Sequence, residues 1–228
     1  MKYILALNFI VEPCCRPKWI RNSKQGQITL KDLRHPCVTI SEYVKHKGVE
    51  SHYTFTRLYS GDFIPNDVVL GEGADRARMT LLTGPNMGGK STLLRQTCIA
   101  IILAQLGSYV PASFCEMTPI DRIFTRIGAH DQIMAGQSTF MVELSETSKI
   151  LREATPLSLV ILDELGRGTS TFDGYAIAFS VLHYLANYVG CLGLFATHYR
   201  QLTLDFKDHL NVKLSHMSCN VDDSEYVF

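Results

Sequence analysis

The stretch TLLTGPNMGGKSTLLRQ, Thr80 to Gln96, decides the reading of this 228-residue chain. Gly84, Gly89, Lys90 and Ser91 satisfy the spacing G-x-x-x-x-G-K-[ST], with an apolar run (Leu81, Leu82) leading in and a helix-forming run leading out. The physics is that of a phosphate cradle. Glycines let successive backbone N–H groups point inward with no Cβ in the way, and the helix that follows presents the positive end of its dipole. Lys90 adds a point charge for the β and γ phosphates, and the Ser91 hydroxyl can ligate Mg2+. The residues from Gly84 to Thr92 (Gly84, Pro85, Asn86, Met87, Gly88, Gly89, Lys90, Ser91, Thr92) are the candidate nucleotide contacts.

Working downstream, the helix opened by Ser91 runs to about Leu106. It is apolar almost all round (Ile99, Ala100, Ile101, Ile102, Leu103, Ala104), which predicts burial between layers, and Gly107 ends it. Ile120 to Ile127 alternates as a strand with one charged face, and Gly128 to Gly136 reads as a loop. Ser138 and Thr139 then start a helix with an apolar stripe at Phe140, Leu144, Thr147, Leu151 and Ala154. A hydroxyl at a helix start is most simply an N-cap, and the same geometry also makes an anion site.

Leu159 to Leu162 is a continuous apolar run that stops at Asp163 and Glu164. A buried parallel strand ending in two carboxylates, downstream of a phosphate loop, is the expected second half of a nucleoside triphosphatase site. Asp163 would then serve Mg2+, usually through water, and Glu164 would orient and polarise the attacking water. The plain alternative is an acidic surface turn. Gly166 to Ser170 reads as a flexible loop, Phe172 to Ala186 as a helix, and Cys191 to Ala196 as another apolar strand ending at Thr197 and His198. A His at the C-terminal edge of a parallel sheet lies where ligands bind in such folds, so His198 is a candidate phosphate sensor. Val212 to Val221 looks strand-like.

Upstream, Met79 to Thr83 and Val68 to Leu70 read as strands, as does Gln27 to Leu33, which meets Arg34, His35 and Pro36 in a turn. Residues 40–60 are polar, charged and aromatic without periodicity, a surface excursion. Phe63 is the nearest upstream aromatic for an adenine ring and equally a core residue. Residues 12–27 read as a linker or loop, and Met1 to Val11 as the tail of a helix from something larger, since no small-x-small cleavage site follows.

The bulk numbers bound the partners. Formal net charge is zero, whereas a chain that grips nucleic acid by itself usually carries a basic excess. Seven cysteines with no C-x-x-C argue for reduced thiols in cytosol or nucleus. No run approaches the roughly 20 apolar residues of a membrane span.

TGPNMGGKST (83–92), PIDRIFTRIGA (119–129), STFMVEL (138–144), LDELGRGTSTFDG (162–174) and FATHY (195–199), in that order, resemble the C-terminal ATPase of the MutS DNA mismatch-repair family. RHPC (34–37), FIPND (63–67) and NVKLSHMSC (211–219) are most similar to its eukaryotic homolog-six branch. The resemblance implies an ABC-type ATPase in which two such domains sandwich two nucleotides. Ser138 then becomes the signature serine reaching the γ-phosphate held by the other subunit, Phe63 and Ile64 the adenine contact, and His198 the switch histidine. The implied partners are a second MutS-family subunit of the homolog-two type, in a nuclear heterodimer, and mismatched double-stranded DNA contacted through domains outside this chain.

The expectation is therefore an α/β P-loop NTPase fold of the ABC type, with a mostly parallel central sheet, helices on both faces and an antiparallel N-terminal portion. Residues 1–27 would be the remnant of a preceding helical lever region and its linker. Residues 28–228 would be the ATPase domain, ending before a helix-turn-helix dimerisation segment. Its cofactors would be ATP and Mg2+, and its reaction hydrolysis of ATP driving the switch of a mismatch-recognition heterodimer. The rival is a nucleotide-binding partner module without turnover of its own. An ABC transporter or chromosome-maintenance ATPase is disfavoured, because Ser138 sits in QSTFM rather than a Ser-Gly-Gly-Gln signature.

Overall fold

Apolar runs without polar alternation, such as LVILD and LGLFA, bury both faces only when covered on both sides. They do so here. The computed structural model describes residues 13–21, 23–38, 63–71, 77–128, 139–218, 221–222 and 225–226. Its centre is a five-stranded sheet of β4 (Met79–Thr83), β6 (Ile123–Arg126), β7 (Leu159–Asp163), β8 (Leu192–Ala196) and β9 (Val212–His216), ordered β6-β7-β8-β4-β9. Every neighbouring pair in it is parallel.

Side-chain alternation along β7 divides the core. Leu159 and Ile161 face a cluster with Leu93, Leu94 and Ile101 of α1 (Lys90–Gln105). Val160 and Leu162 face a second cluster, with Ile150 of α2 (Thr139–Glu153) and Ala178 and Leu182 of α3 (Thr171–Tyr184). The chain is thus α/β, with helices on both faces of the parallel sheet.

The first cluster continues into a second sheet through Ile28, Leu30, Val68 and Met117. This four-stranded sheet has the order β1-β5-β2-β3, from β1 (Lys18–Trp19), β2 (Ile28–Leu33), β3 (Asn66–Leu70) and β5 (Phe114–Met117). Lying between two sheets explains why α1 is apolar on more than one face, although Ile102 is exposed. β2 runs antiparallel to both β3 and β5, while β1 is parallel to β5. The antiparallel portion is therefore a mixed sheet that recruits β5 from beyond α1, and the segment expected to be linker supplies β1.

The two ends of the parallel sheet differ. Past its N-terminal edge the buried Arg78 guanidinium donates to Gly190 O at 2.5 Å and Pro156 O at 2.7 Å, tying together two connecting loops. α3 runs on into a π turn, Leu185–Val189, and α4 (Arg200–Asp205) precedes β9. A short hairpin of β10 (Val221–Asp222) and β11 (Glu225–Tyr226) follows. The candidate site lies at the C-terminal edge of this sheet.

Candidate functional site

β4 delivers the chain to Gly84, and α1 starts at Lys90, so the loop between must reverse direction over few residues. It does so with Met87 at φ 65 and Gly89 at φ 85, and Gly88 N–H donates to Pro85 O at 3.1 Å. Asn86 and Met87 are exposed at its tip. Among the described residues no side chain caps the start of α1, which leaves its first N–H groups without a side-chain cap there, as an anion site requires. Lys90 is buried, and its ammonium donates to Gly84 O and Pro85 O, both at 2.9 Å. It is therefore held inside the loop.

Ser91, one residue on, donates its hydroxyl to Asp163 Oδ2 at 2.6 Å, joining the start of α1 to the end of β7. The other oxygen, Asp163 Oδ1, is buried without a hydrogen-bond partner among the described residues. Burial holds this carboxyl above its usual range, with Glu164 adding to the effect and the Ser91 hydrogen bond and Lys90 offsetting part of it. A buried, under-satisfied carboxylate beside a hydroxyl is the donor set that a hard divalent cation completes, with its remaining positions left to water and phosphate. Ser91 and Asp163 thus fit Mg2+.

Glu164 follows with φ 54, in the left-handed region that a residue with a side chain rarely enters. Its N–H donates to Ala196 O at 2.9 Å, and its carboxylate pairs with Arg167. A cleft of ≈ 220 Å³ lies alongside, lined by Arg126, Glu143, Asp163, Glu164, Arg167 and two glycines. Just past the end of β8, Thr197 N–H donates to Leu82 O at 3.0 Å, which sets His198 at the same sheet edge, exposed and with its ring 4.2 Å from that of Tyr199.

Among the expected site residues, the fold brings Gly84 to Thr92, Asp163, Glu164 and His198 to this one edge. Phe63, half-buried, and Ile64, exposed, precede β3 in the other sheet. Among the described residues no hydrogen bond or ring contact ties them to the glycine loop. Ser138 lies outside the described residues; Thr139, next to it, is the first residue of α2.

The MutS domain V profile matches residues 80–228. The chain belongs to the MutS family. It is 51% identical over 216 residues to DNA mismatch repair protein Msh6 of Gallus gallus and 48% identical over 216 residues to Msh6 of Homo sapiens. In both cases the match covers 92% of this chain and 15% of the relative. It is also 52% identical over 181 residues to DNA mismatch repair protein MutS of Thermodesulfovibrio yellowstonii, covering 79% of this chain and 20% of that protein. The match therefore spans only about 15% of the length of these Msh6 relatives.

In this MutS-family chain, sequence reasoning passed over several residues that shape the site. Glu143 is buried on α2 and accepts the Gly166 N–H on Oε1 at 2.8 Å. The Tyr199 hydroxyl donates to Gly166 O at 3.0 Å, and burial together with Glu143 pushes its pKa up. After β9, Met217 N–H donates to Thr83 O at 2.8 Å, so that its side chain lies against Gly84 and Gly89. His216 Nδ1 lies 3.0 Å from the Thr83 hydroxyl. Glu143 could have been found: it shares a helical face with Thr147 and Ile150, the buried centre of α2, and a carboxylate on that face needs a partner.

Proposed function

We propose that this chain is the ATP-binding and ATP-hydrolysing domain of a DNA mismatch repair protein, a P-loop site of the ABC type. The observation that carries the reading is the Ser91–Asp163 hydrogen bond at 2.6 Å, beside the under-satisfied Asp163 Oδ1 and the buried Lys90. It joins the phosphate loop to the acidic strand end, as a Mg-nucleotide site needs.

In this reading the Gly84–Thr92 loop and the start of α1 cradle the phosphates, with Asn86 near them, and Lys90 leaves its two carbonyl partners for phosphate oxygens. Ser91 and Asp163 hold Mg2+, which when bound neutralises charge on the β and γ phosphates. Glu164 leaves Arg167, orients a water in line with the γ-phosphate and draws off its proton. His198 reads the γ-phosphate from β8, and Phe63 with Ile64 flanks the adenine. Ser138 acts in trans on the nucleotide of a second MutS-family subunit, of the homolog-two type. Through that pairing ATP favours one arrangement of a nuclear heterodimer whose other domains hold mismatched DNA.

The ion pair between Glu164 and Arg167 gives weight to a second reading, a nucleotide-binding module whose base is engaged until a partner frees it. Steady-state ATP hydrolysis decides. It is measured on the chain alone and with the ATPase portion of a homolog-two subunit, with Lys90→Ala as control. Partner-stimulated turnover that disappears in the control supports the composite ATPase. Nucleotide binding without turnover in either mixture leaves the binding module.

A further inference from the structure

Glu143 lies in the STFMVEL segment, yet the reaction scheme above gives it no task. It is buried on the first turns of α2, and its Oε1 accepts the N–H of Gly166 at 2.8 Å. The other face of the same peptide segment is held as well, since Tyr199 donates to Gly166 O at 3.0 Å. Gly166 itself has φ 88 and lies flat on Gly174; a Cβ there would come within 2.5 Å of Gly174 O. At Gly168 the loop rests on α2, where a Cβ would be 3.3 Å from Phe140 Cβ and 3.5 Å from Glu143 Oε2.

These contacts fix the backbone immediately beyond Glu164. At its near end Glu164 is fixed by its own N–H on Ala196 O, and the left-handed φ of 54 sets where its carboxylate points. A residue in that conformation returns to an ordinary one when the flanking chain is released. Glu143 and Tyr199 close the far end. We infer that Glu143 is a positioning residue for Glu164: through the Gly166 amide it makes the start of α2 and the Glu164 loop move as one body.

The inference rests on the ATPase reading for the role of Glu164, and its test separates the two. Wild-type chain, Glu143→Ala, Glu143→Gln and Tyr199→Phe are compared by kcat and KM for ATP in the partner-containing mixture. The same chains without nucleotide are compared by amide hydrogen exchange of the 164–168 segment. Glutamine keeps an acceptor oxygen at the same reach and alanine does not. Glu143→Ala is expected to lower kcat about tenfold or more with KM within about twofold, and to speed Gly166 exchange about tenfold. Glu143→Gln restores both to within about threefold of wild type, and Tyr199→Phe moves both in the same direction as Glu143→Ala.

Unchanged kcat and exchange in Glu143→Ala overturn the inference. Equal damage by glutamine and alanine overturns it too, because the charge and not the hydrogen bond is then at work. If Glu143→Ala does not fold, the Glu143→Gln and Tyr199→Phe pair decides alone, and wild-type behaviour of Tyr199→Phe in both assays counts against the clamp. Absence of turnover in the wild-type mixture removes the ATPase reading only; the hold on Gly166 is then decided by exchange.

Discussion

Glu164 sits in a conformation that costs a non-glycine residue on the order of 1–2 kcal/mol, and the surrounding hydrogen bonds are what keep it there. If that strain serves to aim the carboxylate, stability and activity will separate on mutation. Glu164→Gln keeps the shape and loses the base: ATP binding stays within a few-fold while turnover falls about a hundredfold or more. Glu164→Gly loses turnover equally, yet its melting temperature in nucleotide-free buffer rises above that of Glu164→Gln, because glycine enters the left-handed region without penalty. A melting curve and a phosphate-release assay on both variants check the pair. At this scale the sequence was most legible where chemistry is written in consecutive residues. Gly84 to Ser91 and Asp163–Glu164 are adjacent in the chain and were read at once. Glu143 and Tyr199 meet Gly166 only because three elements converge, and a single carboxylate within an apolar stripe is easily read as a surface interruption. The expected stripe holds at Thr147, which is buried, and at Leu151 and Ala154, which pack against the core, but it named Phe140 and Leu144 and left out the buried Glu143 and Ile150.

Elements were legible in proportion to their burial. β7 and β8 are covered on both sides, so their composition admits no other reading, and α1 announces itself by the glycine loop before it. β1 and β5 are short and take their partners from distant segments, so nothing local marks them as strands. The antiparallel portion was foreseen for β2 and β3 only. Two predictions belong here. Gly174, in the first turns of α3, meets Gly166 O and the Tyr199 hydroxyl so closely that a Cβ would fall within 2.2 Å of each. Gly174→Ala must displace the Gly166 loop, and it is expected to cost about 2 kcal/mol in urea unfolding and to lower turnover as well. At the turn into β7, Thr155 and Ser158 donate to Asp121 at 2.6 and 2.7 Å. Burial alone would raise this carboxyl; these hydrogen bonds outweigh it and hold it below its usual range. A depressed folded pKa gives stability that is present in full above the unfolded value and lost as pH falls through the folded one. Asp121→Asn should therefore cost at most about 1 kcal/mol at pH 7, the group being exposed. In unfolding titrations the difference from wild type shrinks below the unfolded value of 3.8.

For the whole molecule, the edge that carries Lys90, Asp163, Glu164 and His198 holds each residue type that an NTPase site needs in cis, while Ser138 directly precedes in sequence the first residue of α2, a helix joined through Glu143 to the Glu164 loop. If two subunits complete each other's sites, damage to this chain will appear in two places. Lys90→Ala silences the site of this chain and leaves the site of the homolog-two subunit to be measured alone. Adding Ser138→Ala to that background should then lower the remaining turnover about tenfold, the usual scale for removing a transition-state donor, without changing how tightly the partner binds ATP. If each subunit instead works by itself, the second substitution changes nothing. Single-turnover phosphate release from the partner's site, with the two subunits mixed at fixed ratio, distinguishes the two arrangements. A loss of subunit association in Ser138→Ala, seen by sedimentation, would assign the serine to the interface itself instead of to the phosphate across it.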